Sequence, residues 1–486
     1  MRKILLVIFI LLFGNKLNLL ASDKKTNFTN FIIFIADDIS WDDFGCYGNK
    51  QVKTPIIDNL SKQGIKFTNT YLTASSCSPS RNSILTGRYP HNTGAAELHT
   101  TPPIDMISMA EVLKLNGYFT ALSGKWHFGD YAKRGFEVIS KTYQEVGNSG
   151  SDSWVRVLQE RPKNKPFFLW YASLDAHRDW GENQFSGTHN PDSIVPPFYL
   201  HNGTETRNDL SKYYDEVHRF DFRIGEVLTE LGKQGELENT LVIIMSDNGR
   251  PFPHSKTRVN DRGMKTPFIV YWPKGAKDEQ QISNSLISSI DIAPTILDIA
   301  GIPTPESFQG LSFLPIIKDP SKEFRNYVFA EHNWHDYEAH ERMVRSKNFM
   351  YILNSRPNLS QLGPADAVSS PSFHELVKIK EEGRLNAIQT DIFMIPRPKE
   401  ELYDYTKDSL QLLNVASVPS YSDELNYLRN VLYKWMEETD DNIPDSITKD
   451  WYLRVPGYIG TESKELRGEM PGASRNAAKN NKKGPF

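Results

Sequence analysis

The sequence predicts an α/β protein: a mostly parallel sheet flanked by helices, followed by a smaller C-terminal α+β domain in which a helix packs on an antiparallel sheet. Two observations carry this. Four short apolar runs, rich in β-branched and aromatic residues, alternate with amphipathic helical stretches, the order that builds parallel sheets buried on both faces. Beyond about Pro320 the runs become shorter and alternating, and one amphipathic stretch, "SDELNYLRNVLYKWMEET", follows them.

The chain opens with "MRKILLVIFILLFGNKLNLLAS". A basic start, an apolar run from Ile4 to Phe13 and small residues at Ala21 and Ser22 predict a signal peptide over 1–22. The run is short of the roughly 20 apolar residues a spanning helix needs, so export to the periplasm or medium is expected, without a stable membrane anchor. A catalytic domain is expected over 23–322 and the smaller domain over 323–455. Residues 456–486, rich in Gly, Asn and Lys, read as a mobile or surface-draped tail.

Each apolar run ends in polar residues. "NFIIFIADD" ends at Asp37 and Asp38, "YFTALSGKWH" at Lys125 and His127, "PFFLWYASLDAH" at Asp175 and His177, and "LVIIMSDNG" at Asp247 and Asn248. Ligands of open α/β sheets bind beyond the carboxyl ends of the strands, so these clusters are expected at one rim. Between them, Thr54 and Pro55 open a helix that stops at Gly64, and Ser108 and Glu111 stand in capping-box spacing. A long amphipathic run covers Leu210 to Gly232, and "SIDIAPTILDIAGIP" closes at Gly301 and Pro303.

Composition narrows the function. A formal net charge of −4 offers no basic field for nucleic acid. Two cysteines in an exported chain cannot form a disulfide framework; only a Cys46–Cys77 bridge is arithmetically possible. Cys46, in "FGCYG", reads as a buried structural thiol.

Asp37, Asp38, Asp247 and Asn248 are oxygen donors that suit a hard divalent cation, calcium or magnesium. Arg81, Lys125, His127, His177 and Lys256 add cations and proton donors for an oxyanion beside it. Singly, a strand-end Asp is often a cap and a charge often solvated; their convergence favours function. Cys77 precedes an apparent helix, "SRNSILTG", whose amino end favours an anion. A soft thiolate matches a hard cation badly. Cys77 is therefore either inert packing or not a cysteine in the mature protein.

"CSPSRNSILTG" resembles the signature of the type I sulfatases, whose leading cysteine is oxidised to formylglycine, and "ADDISWDDFGCYGN", "GKWHFG", "SDNG" and "ELYDYTKDSLQLLNVA" are similar to family segments in family order. The resemblance implies an alkaline-phosphatase-like fold. It implies calcium on Asp37, Asp38, Asp247, Asn248 and the modified Cys77, and Arg81 holding the hydrated aldehyde. Lys125, His177 and Lys256 would hold sulfate and protonate the leaving oxygen, while His127 orients the second hydroxyl and takes its proton. A formylglycine-generating or anaerobic sulfatase-maturating enzyme is the implied partner.

"SDNGRPFPHSK" and "LDAHR" resemble the sulfamidase branch, with Lys256 where sulfamidases carry arginine. That departure favours an O-sulfated glycan such as ulvan or carrageenan; N-sulfoglucosamine of heparan is the alternative. A phosphatase or phosphodiesterase on the same fold would use serine or threonine at position 77, and an unmatured chain would be a silent glycan-binding protein. For substrate contacts, "EHNWHDYEAHERMVRS" offers His332, Trp334, His335 and Arg342 at the expected domain interface.

Overall fold

Strand register, more than any single contact, decides where the polar strand ends meet. In this computed structural model, which describes residues 28–276, 281–454 and 466–486, an eight-stranded sheet runs in the spatial order Val138–Ser140, Phe119–Gly124, Phe167–Ala172, Asn30–Ala36, Thr240–Ser246, Phe268–Tyr271, Ile65–Phe67, Gln281–Ser283. Only Phe268–Tyr271 runs antiparallel to its neighbours. The expected signal peptide lies outside the described residues. Among the described residues no helix is long and apolar enough to cross a membrane.

The central strand is buried at every residue because both faces are covered, which is why it reads as an unbroken apolar run. Phe31, Ile33 and Ile35 share one core with Leu85 and Ile296. Ile32, Phe34 and Ala36 share the other with Val217, Phe220 and Ile224 of the long helix Thr204–Lys233. Each such buried side chain contributes about 1.5–3 kcal/mol. Pairing Ala36 with Ser246 brings Asp37 and Asp247 side by side just past the sheet. Pairing Ile35 and Gly124 with the same residue, Ala172, brings Lys125 to their level.

Helix ends follow the sequence with two differences. The Ser108 hydroxyl accepts from the Glu111 amide at 3.1 Å, but the Glu111 carboxylate does not close a capping box; it binds Arg134. The long helix begins at Thr204, six positions before the apolar run that announced it.

The second sheet is antiparallel, in the order Val328–Trp334, Glu338–Arg345, Phe349–Asn354, Glu400–Asp404. Helix Ser422–Glu438 packs Leu428, Leu432 and Trp435 on Phe329, Val344 and Tyr351, with Trp435 stacked on Phe329 at 5.0 Å. Between the last two strands, residues 355–399 carry helix Pro371–Glu381, which returns to the first domain: Ser372 Oγ donates to Asp209 at 2.6 Å.

The C-terminal segment is held in place, in contrast to the mobile or draped tail its composition suggests. The buried Arg88 guanidinium donates to the carbonyls of Ala478 and Asn480 and to the Asn481 side chain, at 3.1, 2.7 and 2.8 Å. Asn92 donates to the Ala477 carbonyl and Gln309 to that of Lys482, both at 2.8 Å. Gly/Asn/Lys composition leaves many carbonyls and amides free, and here they complete the hydrogen bonding of buried donors that Asn92, Ser307 and Thr439 only partly satisfy.

Gly124 fixes the turn after its strand. It has φ +110°, and a Cβ there would lie 1.8 Å from the Ala172 carbonyl oxygen. Gly124→Ala is expected to cost roughly 2 kcal/mol or more, read as a lowered urea midpoint; an unchanged midpoint would show that this close approach does not constrain the rim.

Candidate active site

Asp37, Asp38 and Asp247 are fully buried, and each is met by one cation from a different segment. Lys125 Nζ lies 2.5 Å from Asp37 Oδ2, Lys256 Nζ 2.6 Å from Asp38 Oδ2, and Arg81 Nε 2.7 Å from Asp247 Oδ2. Backbone joins them too: the Asp38 amide donates to Asp247 Oδ1 at 3.2 Å. Asp38, with φ +63°, takes the left-handed conformation that turns its carboxylate back to the rim.

These cations do not fully compensate the acids. Burial would raise the Asp37 carboxyl, but Lys125, His177 and Arg81 outweigh it and hold it well below the usual range. Burial wins at Asp38, despite Lys256, and pushes Asp247 up to about 6 against Arg81. Asn248 Oδ1 is buried with no hydrogen-bond partner, while its Nδ2 donates to Asp38 Oδ1 at 2.9 Å. An all-oxygen donor set of three carboxylates and an orphaned amide acceptor fits a hard divalent cation.

Cys77 begins helix Cys77–Thr86, with its Sγ 4.0 Å from Asp37 Oδ1 and 3.1 Å from Asn248 Nδ2. Both cysteines are free, so the arithmetically possible bridge is not made. Burial pushes the Cys77 thiol up to about 12, although Lys125 and Lys256 pull the other way. One turn on, Arg81 has both terminal guanidinium nitrogens buried without hydrogen-bond partners, Nη2 lying 3.7 Å from Asp37 Oδ1. Cys46 is half-buried, its thiol likewise raised to about 12 by burial.

Two histidines flank this centre. His177 Nε2 lies 3.9 Å from Asp38 Oδ2, and its Nδ1 bonds the Arg178 carbonyl. His127 Nε2 lies 2.9 Å from Nδ1 of His99, and its own Nδ1 is buried without a partner. Burial, then Lys125, hold His127 neutral, well below the ordinary histidine range. A neutral imidazole with one free nitrogen can accept a proton.

The Sulfatase family model matches residues 29–302, and a model described as "N-sulphoglucosamine sulphohydrolase, C-terminal" matches 254–353. The chain belongs to the sulfatase family. An ulvan-active sulfatase of Formosa agariphila is 31% identical over 473 residues, covering 84% of this chain and 76% of the relative. Human N-sulphoglucosamine sulphohydrolase is 29% identical over 469 residues, covering 87% and 93%. A solved structure described as in complex with its substrate D-glucosamine-2-N,6-O-disulfate shares the fold with TM-score 0.65 at 20% identity, covering 84% of this chain and 98% of that one.

In this sulfatase the segment expected to meet substrate divides. His335 Nδ1 lies 2.8 Å from Ser76 Oγ, beside position 77, and Trp334 packs against Cys77 and Leu98. His332 is buried with neither ring nitrogen partnered. Arg342 is fully buried, and both Asp441 oxygens take its guanidinium, at 2.6 and 2.8 Å. Its place is thus a structural ion pair rather than the exposed glycan contact expected of it. Two groups at the site went unread in the sequence. His99 is a lone loop histidine, and Asp366 lies in a segment without periodicity, 2.8 Å from Lys256 Nζ.

Two outcomes follow. Calcium at a hundredfold over its dissociation constant is expected to stabilise the protein by about 2.7 kcal/mol, seen as a rise in Tm that EDTA reverses and Asp247→Asn abolishes; a Tm indifferent to calcium and magnesium would remove the cation. Arg342→Ala is expected to cost about 3–5 kcal/mol in denaturant unfolding, because it strands Asp441 in the core; full stability with a raised KM would return Arg342 to substrate binding.

Proposed function

We propose that this sulfatase hydrolyses sulfate esters of a sulfated polysaccharide or its oligosaccharides, with Cys77 converted to formylglycine by a formylglycine-generating or anaerobic sulfatase-maturating enzyme. The observation that carries this is the thiol itself. Cys77 stands buried 4.0 Å from Asp37 Oδ1 and 3.1 Å from Asn248 Nδ2, between the acids and the two lysines of the rim, and burial pushes its thiol up to about 12. Oxidised and hydrated, position 77 would instead supply two geminal hydroxyls, one to bond sulfur and the other to release sulfate and restore the aldehyde. Calcium or magnesium on Asp37, Asp38, Asp247, Asn248 and position 77 would supply Lewis acidity.

The chain's own residues take the remaining roles. The two terminal Arg81 nitrogens, which make no hydrogen bond, would donate to the nucleophile. Lys125 and Lys256 neutralise the charge that grows on the sulfate oxygens. His177, whose Nδ1 is held by a carbonyl, presents Nε2 to the leaving oxygen and gives it a proton. His127, neutral and with Nδ1 free, takes the proton of the second hydroxyl. Ulvan is the favoured substrate class, since curated relatives carry that name, and export is expected from the leading apolar run. N-sulfoglucosamine is the second reading, favoured by the match over 254–353.

Sulfate release by ion chromatography tests this, using protein whose peptide containing position 77 has the mass of the aldehyde. Release from ulvan oligosaccharides supports the reading, and release from N-sulfoglucosamine alone replaces it with the second. His177→Ala is expected to lower kcat by about 10²–10⁴-fold; wild-type kcat would assign the leaving-group proton elsewhere.

A further inference from the structure

One charged side chain at the site has no role in the scheme above. Asp366 stands in the short helix Ala365–Val368, anchored from behind where the Ala365 amide donates to Asp336 Oδ2 at 3.1 Å. Its Oδ2 lies 2.8 Å from Lys256 Nζ and 3.8 Å from His177 Nε2. Its Oδ1 is buried without a hydrogen-bond partner. The side chain is 18% exposed, at the same opening as His177, which is 34% exposed.

Lys256 has three N–H donors. Asp38 and Asp366 take two, at 2.6 and 2.8 Å, leaving one for a sulfate oxygen. A sulfate held there, with its leaving oxygen at His177, would bring the sugar beside Asp366, whose Oδ2 is 3.8 Å from His177 Nε2. An anion at that place repels a second anion on the sugar. It also has spare acceptor capacity, and an unmade bond in such a site is costly. A neutral or cationic donor on the substrate would satisfy it, and an added sulfate or carboxylate would not.

We infer that Asp366 is a specificity-determining residue, accepting a hydrogen bond from a hydroxyl or amine next to the sulfated position and excluding sugars that carry a second anion or a blocked group there. This rests on the sulfatase reading of Lys256 and His177 given above. It makes residues 355–399 the part of the chain that selects the sugar, while the strand ends bind the sulfate.

Two measurements on the full-length, aldehyde-bearing protein test it, with Asp366→Asn and Asp366→Ser as independent variants. The first is the affinity for inorganic sulfate by thermal shift, which needs no knowledge of the sugar. Removing the carboxylate is expected to tighten it severalfold; affinity unchanged in both variants would overturn the proposal. The second compares kcat/KM on methyl rhamnoside 3-sulfate, and on N-sulfoglucosamine, with analogues whose flanking hydroxyls are methylated. The wild type is expected to prefer the free sugar by about tenfold to a hundredfold, the worth of a hydrogen bond to a charged group, and the variants to lose that preference through KM. Variants that slow both sugars equally, with the preference intact, would reduce Asp366 to a counter-ion of Lys256. Sulfate release from neither parent sugar would count against the choice of substrate class, and the sulfate affinities would still decide the role of Asp366.

Discussion

Three carboxylates, fully withdrawn from water at the ends of two adjacent strands, are the constraint around which this molecule is organised. Burying a charge costs several kcal/mol unless it is closely paired. The pairing here is drawn from separate elements: Lys125 from the strand ending at Gly124, Arg81 from the helix begun by Cys77, Lys256 from the loop after Asn248. Each cation therefore fastens its own segment to the rim while setting up the site's field. Stability and chemistry share the same contacts, so a change at one of these residues cannot be read as purely one or the other.

The loop carrying Lys256 is under backbone strain, with His254 at φ +70° and the β-branched Thr257 at +73°. It is held from both domains. Ser75 Oγ accepts from the Thr257 amide at 3.1 Å, and the Thr257 hydroxyl meets Tyr337, in the turn between the first two strands of the second sheet, at 2.5 Å. The second sheet also donates from the Glu331 amide to the Thr73 carbonyl at 2.9 Å, next to the signature helix. It is thereby part of the frame of the active site as well as a neighbour of it.

The rim was legible in the sequence because a parallel strand buried on both faces is an uninterrupted apolar run, and the first charged residue after it is conspicuous. Asp37, Lys125 and Asp247 stood out for that reason alone. Arg342 misled because it lies in a strand, Glu338–Arg345, that looks solvent-facing, yet all eight residues are buried, with charges such as the Arg342–Asp441 pair neutralised inside. Asp366 was invisible, since nothing local in "QLGPADAVSS" says that it returns to Lys256; only the tertiary path does. The sulfatase signature supplied what composition and periodicity could not, namely the fate of Cys77.

Arg88, the residue directly after the Gly87 cap of the signature helix, finds acceptors in a segment distant in sequence, at Ala478, Asn480 and Asn481. Before that segment docks, the guanidinium has only the Asn92 and Ser307 carbonyls, and Asn92 and Gln309 each lack one acceptor that the segment supplies. The packing behind the signature helix is thus completed by residues roughly 390 positions further along the chain rather than by its neighbours.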